Sequence, residues 1–444
     1  MIKFSRLFLL CVAAVLLQTS SAVEMLPDDI DPETYGNRQV QETVVQEEEV
    51  MPQTQEAPPH TPLNPKWSAP SYAKQENALG WSPVAFAPPK GMEERVKFWK
   101  EIYTKYSSDQ GILHDSQFVH LIYESLDFSD ITAQKELTNK QREKLRRKRV
   151  DEKKKEIAAR LKRLQDIKDP TGLAGEDLRY WEMFAKIDDS KKFLEAARRG
   201  RLRFQLGQRD QFVNGIYQSG RYLKQMEEIF RQEGVPIEIT RLPFVESSFN
   251  LRARSRVGAS GIWQFMRSTG RLYMRLDSSA DERNDPLRAT RAAARKMRDN
   301  YNMLGAWPLA VTAYNHGPAG VRRLTEKMGT KDLAELTDVR KGRFGFASAS
   351  FYASFLAALD VEANADKHFG VIEVLPELRG AEVKLVKSQP VKELMKWFAG
   401  DLDLAKTLNP HIVERVWNGK MPLSARHIIR VPLMQEREAR AALE

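Results

Sequence analysis

The chain has 444 residues, of which 42% are hydrophobic and 29% charged, and its formal net charge is +10. That length accommodates two or three domains with sizeable cores, and the composition is that of a globular protein rather than a chain disordered throughout. The single cysteine excludes a disulfide framework.

The N-terminus carries Lys3 and Arg6, an apolar run from Leu7 to Leu17, and then "QTSSA". These read as the charged, apolar and cleavage regions of a signal peptide over 1–22, cut after Ala22. A membrane anchor is the competing reading, but about 11 apolar residues fall short of the roughly 20 that span a bilayer. Cys11 lies inside the apolar run, behind Leu10 and ahead of further apolar residues, which is not the setting of a lipidated cysteine. The mature chain is then free of cysteine and rests on its core alone.

Residues 23–90 read as a disordered linker. Its first part, 23–56, holds ten Asp/Glu against one basic residue, Arg38, and the rest is rich in Pro, Gln, Ser and Ala. Residues 91–205 read as a helical N-terminal region. In "EERVKFWKEIYTKY" the residues Val96, Phe98, Trp99, Ile102 and Tyr103 recur at helical spacing and form an apolar face. A long charged helix follows, with twelve Lys/Arg between 142 and 163. It suits a solvated surface better than a nucleic acid, because no aromatic residue interrupts it to stack a base.

Residues 206–375 carry the most information. Gly234 closes one helix and Pro236 stands near the start of the next. In that next helix Ile239, Leu242, Val245 and Phe249 share a buried face, with Glu246 on its edge and Pro243 as a kink. Three further blocks follow: "SRVGASGIWQFM" with Ser255 and Gln264, "NDPLRATRAAARKM" with a cap at Asp285, and "AVTAYNHGPAG" with Tyr314 and Asn315. A carboxyl among apolar side chains has a raised pKa and can act as an acid near neutral pH. Gly258 and Gly261 let a bulky ligand approach the backbone. The amide of Gln264 both donates and accepts, which suits an N-acetyl group.

The ordered set "ESSFN…S…VGASGIWQFM…AYNHG" resembles the soluble lytic transglycosylase family with its goose-type lysozyme fold, and "GVPIEITRLPFVESSFN" is most similar to the membrane-bound lytic murein transglycosylase D branch. The resemblance implies a mainly α chain, with a lysozyme-like catalytic domain over 206–375 and a small α/β accessory module over 380–435. It further implies that Glu246 is the single catalytic acid/base and that Ser255, Gln264, Met266, Tyr314, Asn315 and Tyr352 contact the substrate. Asp277, Asp281, Glu282 and Asp285 cluster, but no spacing singles out a second catalytic carboxylate. Two departures stand out: Arg267 replaces a proline in "QFMRSTG", and "GFASASFYASFLAALD" lacks the Glu that often precedes the tyrosine corresponding to Tyr352. The accessory module resembles a LysM repeat in its "LNP" turn and "IIRVP" strand but lacks the Gly-Asp-Thr opening.

The function implied is cleavage of the bond between N-acetylmuramic acid (MurNAc) and N-acetylglucosamine (GlcNAc) in peptidoglycan strands, with closure of a 1,6-anhydro ring, by an exported protein of the periplasm or cell envelope. The alternatives are a goose-type lysozyme that hydrolyses the same bond and a non-catalytic peptidoglycan-binding protein. No cofactor, metal or nucleic-acid partner is expected; His316 reads as a helix-end residue. Association with the envelope fits the signal peptide, and oligomeric state is left open.

Overall fold

The computed structural model describes residues 65–68, 86–339 and 344–443; the expected signal peptide and most of the expected linker lie outside them. The chain is mainly α-helical, as expected, with two small antiparallel sheets. Among the described residues no helix is long and apolar enough to cross a membrane.

Two pieces of the stretch expected to be a disordered linker are ordered against the body. The Trp67 amide donates to Ile372 O at 2.8 Å, and the Val374 amide donates to Pro65 O at 2.8 Å. Phe86 is buried, its ring meeting Phe355 edge-on at 5.4 Å. Burial of these aromatics offsets the entropy of ordering their neighbours.

Helix α1 (Glu93–Thr104) buries Val96, Phe98, Ile102 and Tyr103, four of the five residues expected on its apolar face. The region expected to be helical over 91–205 also holds a three-stranded sheet of order β2-β1-β3, made of β1 (Gln110–Asp115), β2 (Ile122–Asp127) and β3 (Leu202–Leu206). The long charged helix is α2 (Asn139–Gln165), opened by a capping box between Thr138 and Gln141. It lays Val150, Ile157, Leu161 and Leu164 on a core separate from the main one, shared with Tyr123, Tyr180, Phe184 and Phe204. Its cations are largely paired locally: Arg146 with Asp109, Arg149 with Asp130, and Arg160 with Asp177. These exposed pairs solvate and neutralise part of the charge run on the helix surface.

The main core gathers α1, α3 (Arg209–Ser219), α4 (Leu223–Gln232), α5 (Leu242–Glu246), α6 (Arg267–Tyr273), α7 (Pro286–Leu304), α8 (Trp307–His316), α9 (Pro318–Met328) and α10 (Phe346–Ala363). Helix α10 is buried on nearly every side, with α1 packed along it; its Ala and Ser residues let neighbouring backbones come close. Asp285 caps α7 by accepting from the amides of Leu287 and Arg288, with Pro286 at the first position, as the sequence indicates. Gly317, at φ +88°, ends α8.

The accessory module pairs β4 (Ala381–Lys384) with β5 (Ile428–Val431) around a third core. It is joined to 275–285 rather than tethered beside it. The Asp281 amide donates to His411 O at 2.8 Å, and the Val413 amide donates to Ser279 O at 3.1 Å. Buried ion pairs complete the junction: His427 with Asp277 at 2.7 Å, and Arg430 with Asp285 at 2.8 Å.

Candidate functional site

The segment around Glu246 departs from the single kinked helix expected. A 3₁₀ turn spans Ile237–Arg241, and α5 follows for only five residues, with Pro243 in its first turn, where a missing N–H costs little. Ser248 (φ +50°) and Phe249 (φ +56°) then turn the chain through left-handed backbone, so Glu246 ends its helix instead of sitting mid-way along one. Of the five described non-glycine residues with positive φ, these two and Gln264 (φ +47°) lie in this one site. Strain of about 1 kcal/mol at each such residue persists because the aromatic core holds it: Phe244 stacks on Phe212 at 4.7 Å and meets Phe249 edge-on at 4.7 Å. The buried side chains are Ile239, Leu242, Phe244, Glu246 and Phe249, while Val245, expected in the core, is only partly buried. Glu246 is therefore inside the core and not on its edge.

At 5% exposed, Glu246 has its carboxyl pushed up to about 8. Burial is the cause, since it removes water from the charged form; Lys296 on α7 opposes it. Tyr314 on α8 is buried beside this pair. Its hydroxyl donates to Trp263 O at 2.9 Å, and both burial and the Glu246 charge raise its pKa. Tyr103 on α1 completes the surroundings: it is hydrogen-bonded to Ser354, and its pKa is raised by burial and by Glu246.

The glycine block forms a knitted loop over 253–265. The Gly261 amide donates to Ala253 O, the Gln264 amide to Gly261 O, and the Ser255 amide to Ala259 O, each at 3.0 Å. Ser247, directly after Glu246, donates to Ile262 O at 2.9 Å and ties the loop to α5. Arg283 clamps it from the other side, donating to Gly258 O at 2.7 Å and Phe265 O at 3.0 Å while paired with Asp281. Gly261, at φ +77°, has room for no side chain, because a Cβ there would sit 1.8 Å from Arg283 O. Gly261→Ala should thus cost about 2–4 kcal/mol, read as a lowered urea midpoint; an unchanged midpoint would mean that the loop can slide off Arg283.

The expected substrate contacts divide. Gln264 is buried, and its amide nitrogen donates inward to Gly261 O (2.8 Å) and Ala253 O (3.2 Å), while its Oε1 has no partner among the described residues. Its donors brace the loop, and an acceptor is left over. Ser255 is half-buried and accepts from the Ala259 amide at 2.9 Å. Met266 is 39% exposed beside the loop. Asn315 accepts from Ser348 on α10 at 3.0 Å, which turns its side chain toward that helix; His316 approaches the same Ser348 hydroxyl at 3.1 Å. Tyr352 is buried in α10 with no hydrogen-bond partner for its hydroxyl among the described residues. Arg267 takes the first position of α6, where proline would be tolerated, so its substitution leaves the helix start in place.

The acidic cluster 277–285 is fully engaged. Asp277 and Glu282 face His427, Asp281 holds Arg283, and Asp285 meets Arg430 and His411. Although burial works the other way, Arg430 and His411 bring Asp285 down to about 2. These carboxylates build the junction with the module and the loop clamp.

Sequence reasoning missed Lys296, Tyr103, Ser247 and Arg283. For Lys296 a local signal exists: Ala289, Ala293, Lys296 and Asn300 fall at helical spacing on the face of α7 whose other members are buried.

Comparison with known proteins finds relatives over part of the chain. Over 164 residues the chain is 31% identical to membrane-bound lytic murein transglycosylase D of Escherichia coli strain K12, covering 36% of this chain and 36% of that protein; the chain thus matches about a third of the length of that relative. Two solved structures are similar over part of the chain. Lytic transglycosylase Slt of Pseudomonas aeruginosa, an inactive mutant, shares 16% identity at TM-score 0.29, covering 43% of this chain and 29% of that one. The 70 kDa soluble lytic transglycosylase of Escherichia coli shares 18% identity at TM-score 0.27, covering 53% and 46%. Residues 226–337, which hold Glu246, the glycine loop, Lys296 and Tyr314, match the Transglycosylase SLT domain and give the chain its resemblance to the lytic transglycosylases.

Proposed function

We propose that the protein cleaves the β-1,4 bond between MurNAc and GlcNAc in peptidoglycan, with Glu246 as the single acid and base. The observation that carries this reading is the contrast among the site's carboxyls. Glu246 is buried and held to about 8, whereas Asp277, Asp281, Glu282 and Asp285 are all bound in ion pairs. One carboxyl therefore has to serve both halves of the reaction, unlike the usual pair.

At neutral pH Glu246 is protonated. Its proton passes to the glycosidic oxygen as the bond to C1 of the muramic sugar breaks, and GlcNAc leaves. The resulting carboxylate takes the proton of the muramic C6 hydroxyl while O6 bonds to C1, which closes the 1,6-anhydro ring and restores the acid without water. The buried Tyr314 and Tyr103 help exclude water from the carboxyl, and the unpaired Oε1 of Gln264 offers an acceptor for the acetamido N–H. The resemblance to a membrane-bound lytic murein transglycosylase and the signal-like N-terminus support an exported protein acting at the cell envelope.

Mass spectrometry of muropeptides released from purified sacculi tests the reading. Anhydro-muropeptides are expected from the wild type. Reducing-end products, one water heavier, would make the protein a hydrolase, and no release would favour a binding role.

A further inference from the structure

We propose that the cleft between the glycine loop and the accessory module is a subsite for the peptide branch of the glycan, whose carboxylates it holds with Arg254 and Arg267. The proposal rests on the peptidoglycan reading above and deepens it, because it names the form of the polymer that this chain prefers.

The cleft has a volume of about 350 Å³, within the range that takes a small ligand. On one side Arg254 lies in the loop, Arg267 opens α6 just after it, and Asn284 stands next to the clamp residue Arg283. The facing wall is Pro410, Ile412 and Val413 of the accessory module. Backbone pairing fixes both sides. Within the loop Ser260 bridges Arg254 and also Phe265, which sets the two arginines on neighbouring segments. Across the cleft Ala280 bridges Ile412, beside the bond from the Asp281 amide to His411 O.

The charges in the cleft do not cancel. Asp277, Asp281 and Glu414 also line it, and each has a counter-ion of its own. Asp277 pairs with His427 at 2.7 Å and with Arg275 at 3.2 Å, Asp281 with Arg283 at 2.7 Å, and Glu414 with Lys406 at 2.9 Å. His411 is turned to Asp285 at 3.3 Å. The two guanidinium groups are left over. Arg254 is exposed, and its side chain has no partner among the described residues. Arg267 is exposed too and comes only within 4.0 Å of Asp281, which Arg283 already binds. Asn284 accepts from Ser260 through Oδ1 at 2.6 Å, which leaves its amide N–H groups as further donors. Unpaired guanidinium forks opposite an apolar wall match carboxylates borne on a short aliphatic chain.

The peptide branch of peptidoglycan has that chemistry. It hangs from the muramic sugar and alternates methyl and methylene groups with free carboxylates. The loop that carries Arg254 also carries Gln264, whose Oε1 is the acceptor proposed for the acetamido group of the same sugar. One loop then holds the sugar at Gln264 and its branch at Arg254. Arg267 stands where the resemblance leads one to expect proline, so the subsite is a property of this chain and not of the resemblance.

The test measures binding by calorimetry to the full chain carrying Glu246→Gln, so that nothing is cleaved. The probes are two soluble glycans of the same sugars, one bearing tripeptide branches and one stripped of them by an amidase. The peptide-bearing glycan should bind about tenfold tighter at low salt, and the advantage should shrink as salt rises. Arg254→Gln combined with Arg267→Gln should bring the two glycans to about the same affinity. Each single variant should remove part of the difference, so the test stands even if the paired variant does not fold. With Glu246 intact, the paired variant should raise KM for peptide-bearing strands more than it lowers kcat. Equal affinity for the two glycans before any arginine is changed, or an advantage that survives the paired variant, would overturn the subsite. The binding readout needs no turnover: a protein that releases no anhydro-muropeptides yet keeps the advantage would sink the proposed reaction but not the subsite.

Discussion

Glu246→Gln should abolish anhydro-muropeptide release and at the same time stabilise the protein at neutral pH. Loss of the acid and base removes on the order of 10²–10⁴-fold of rate, and more where one group serves both steps. Stability follows from linkage. The folded carboxyl titrates at about 8 against an ordinary value of 4.5, so between those two pH values the folded chain binds a proton that the unfolded chain has released. Stability therefore falls with rising pH across that window, and by pH 7 the deficit is on the order of 3 kcal/mol. Glutamine is neutral throughout and escapes it. Thermal unfolding at pH 5 and pH 7.5 should show the variant gaining on the wild type as pH rises, by several °C at the higher pH. A variant that keeps a tenth of the activity, or whose advantage does not grow with pH, would contradict the assignment of Glu246.

The second large effect is expected at Arg283. This guanidinium is 6% exposed and binds both oxygens of Asp281 as well as the carbonyls of Gly258 and Phe265. Arg283→Met leaves a buried carboxylate and two carbonyls without their donor, at a cost of about 3–5 kcal/mol. Arg267, whose guanidinium is 4.0 Å from Asp281, restores part of that charge balance but not the loop contacts. Arg283→Lys should rescue little, because one ammonium group cannot reach the four acceptors that the planar fork spans. Urea unfolding should show the lower midpoint, and amide exchange should quicken over 253–265 in both variants. If exchange in the loop stays slow, the loop is held by its own hydrogen bonds and not by the clamp.

Much of this was legible in the sequence because it is written in local signals. The Asp285 cap with Pro286, the Gly317 stop, the apolar face of α1 and the ordered blocks around Glu246 all depend on residues near one another in the chain. Tyr103 is different: its helix is legible, but nothing within 93–104 says that it reaches a carboxyl some 140 positions later, since that approach is made by α10, which both elements contact. The three-stranded sheet was missed because its strands are short and two of them are separated from the third by α2. What the acidic cluster does was hidden for the opposite reason. Its members look like spare carboxylates until the histidines and arginine of the accessory module, more than a hundred residues away, are brought against them. Val245 and Glu246 exchanged places relative to the expected face because the helix is five residues long and has no room to repeat a period.

The central position of α10 bears on how such a site can be inherited. The segment 226–337 carries the recognisable chemistry, yet the helix that α5 and α8 lean on lies at 346–363, and α1 at 93–104 covers the other side of that helix. Cut at the segment's own edges, the fragment would strip Phe212 from Phe244 and Tyr103 from the surroundings of Glu246. Recombination could therefore not move this site between genes as a cassette of about a hundred residues. The unit that keeps Glu246 buried runs from the first helix to α10, and the three-stranded sheet belongs to it, because Ile112 lies in the main core and His114 packs on Phe346 of α10.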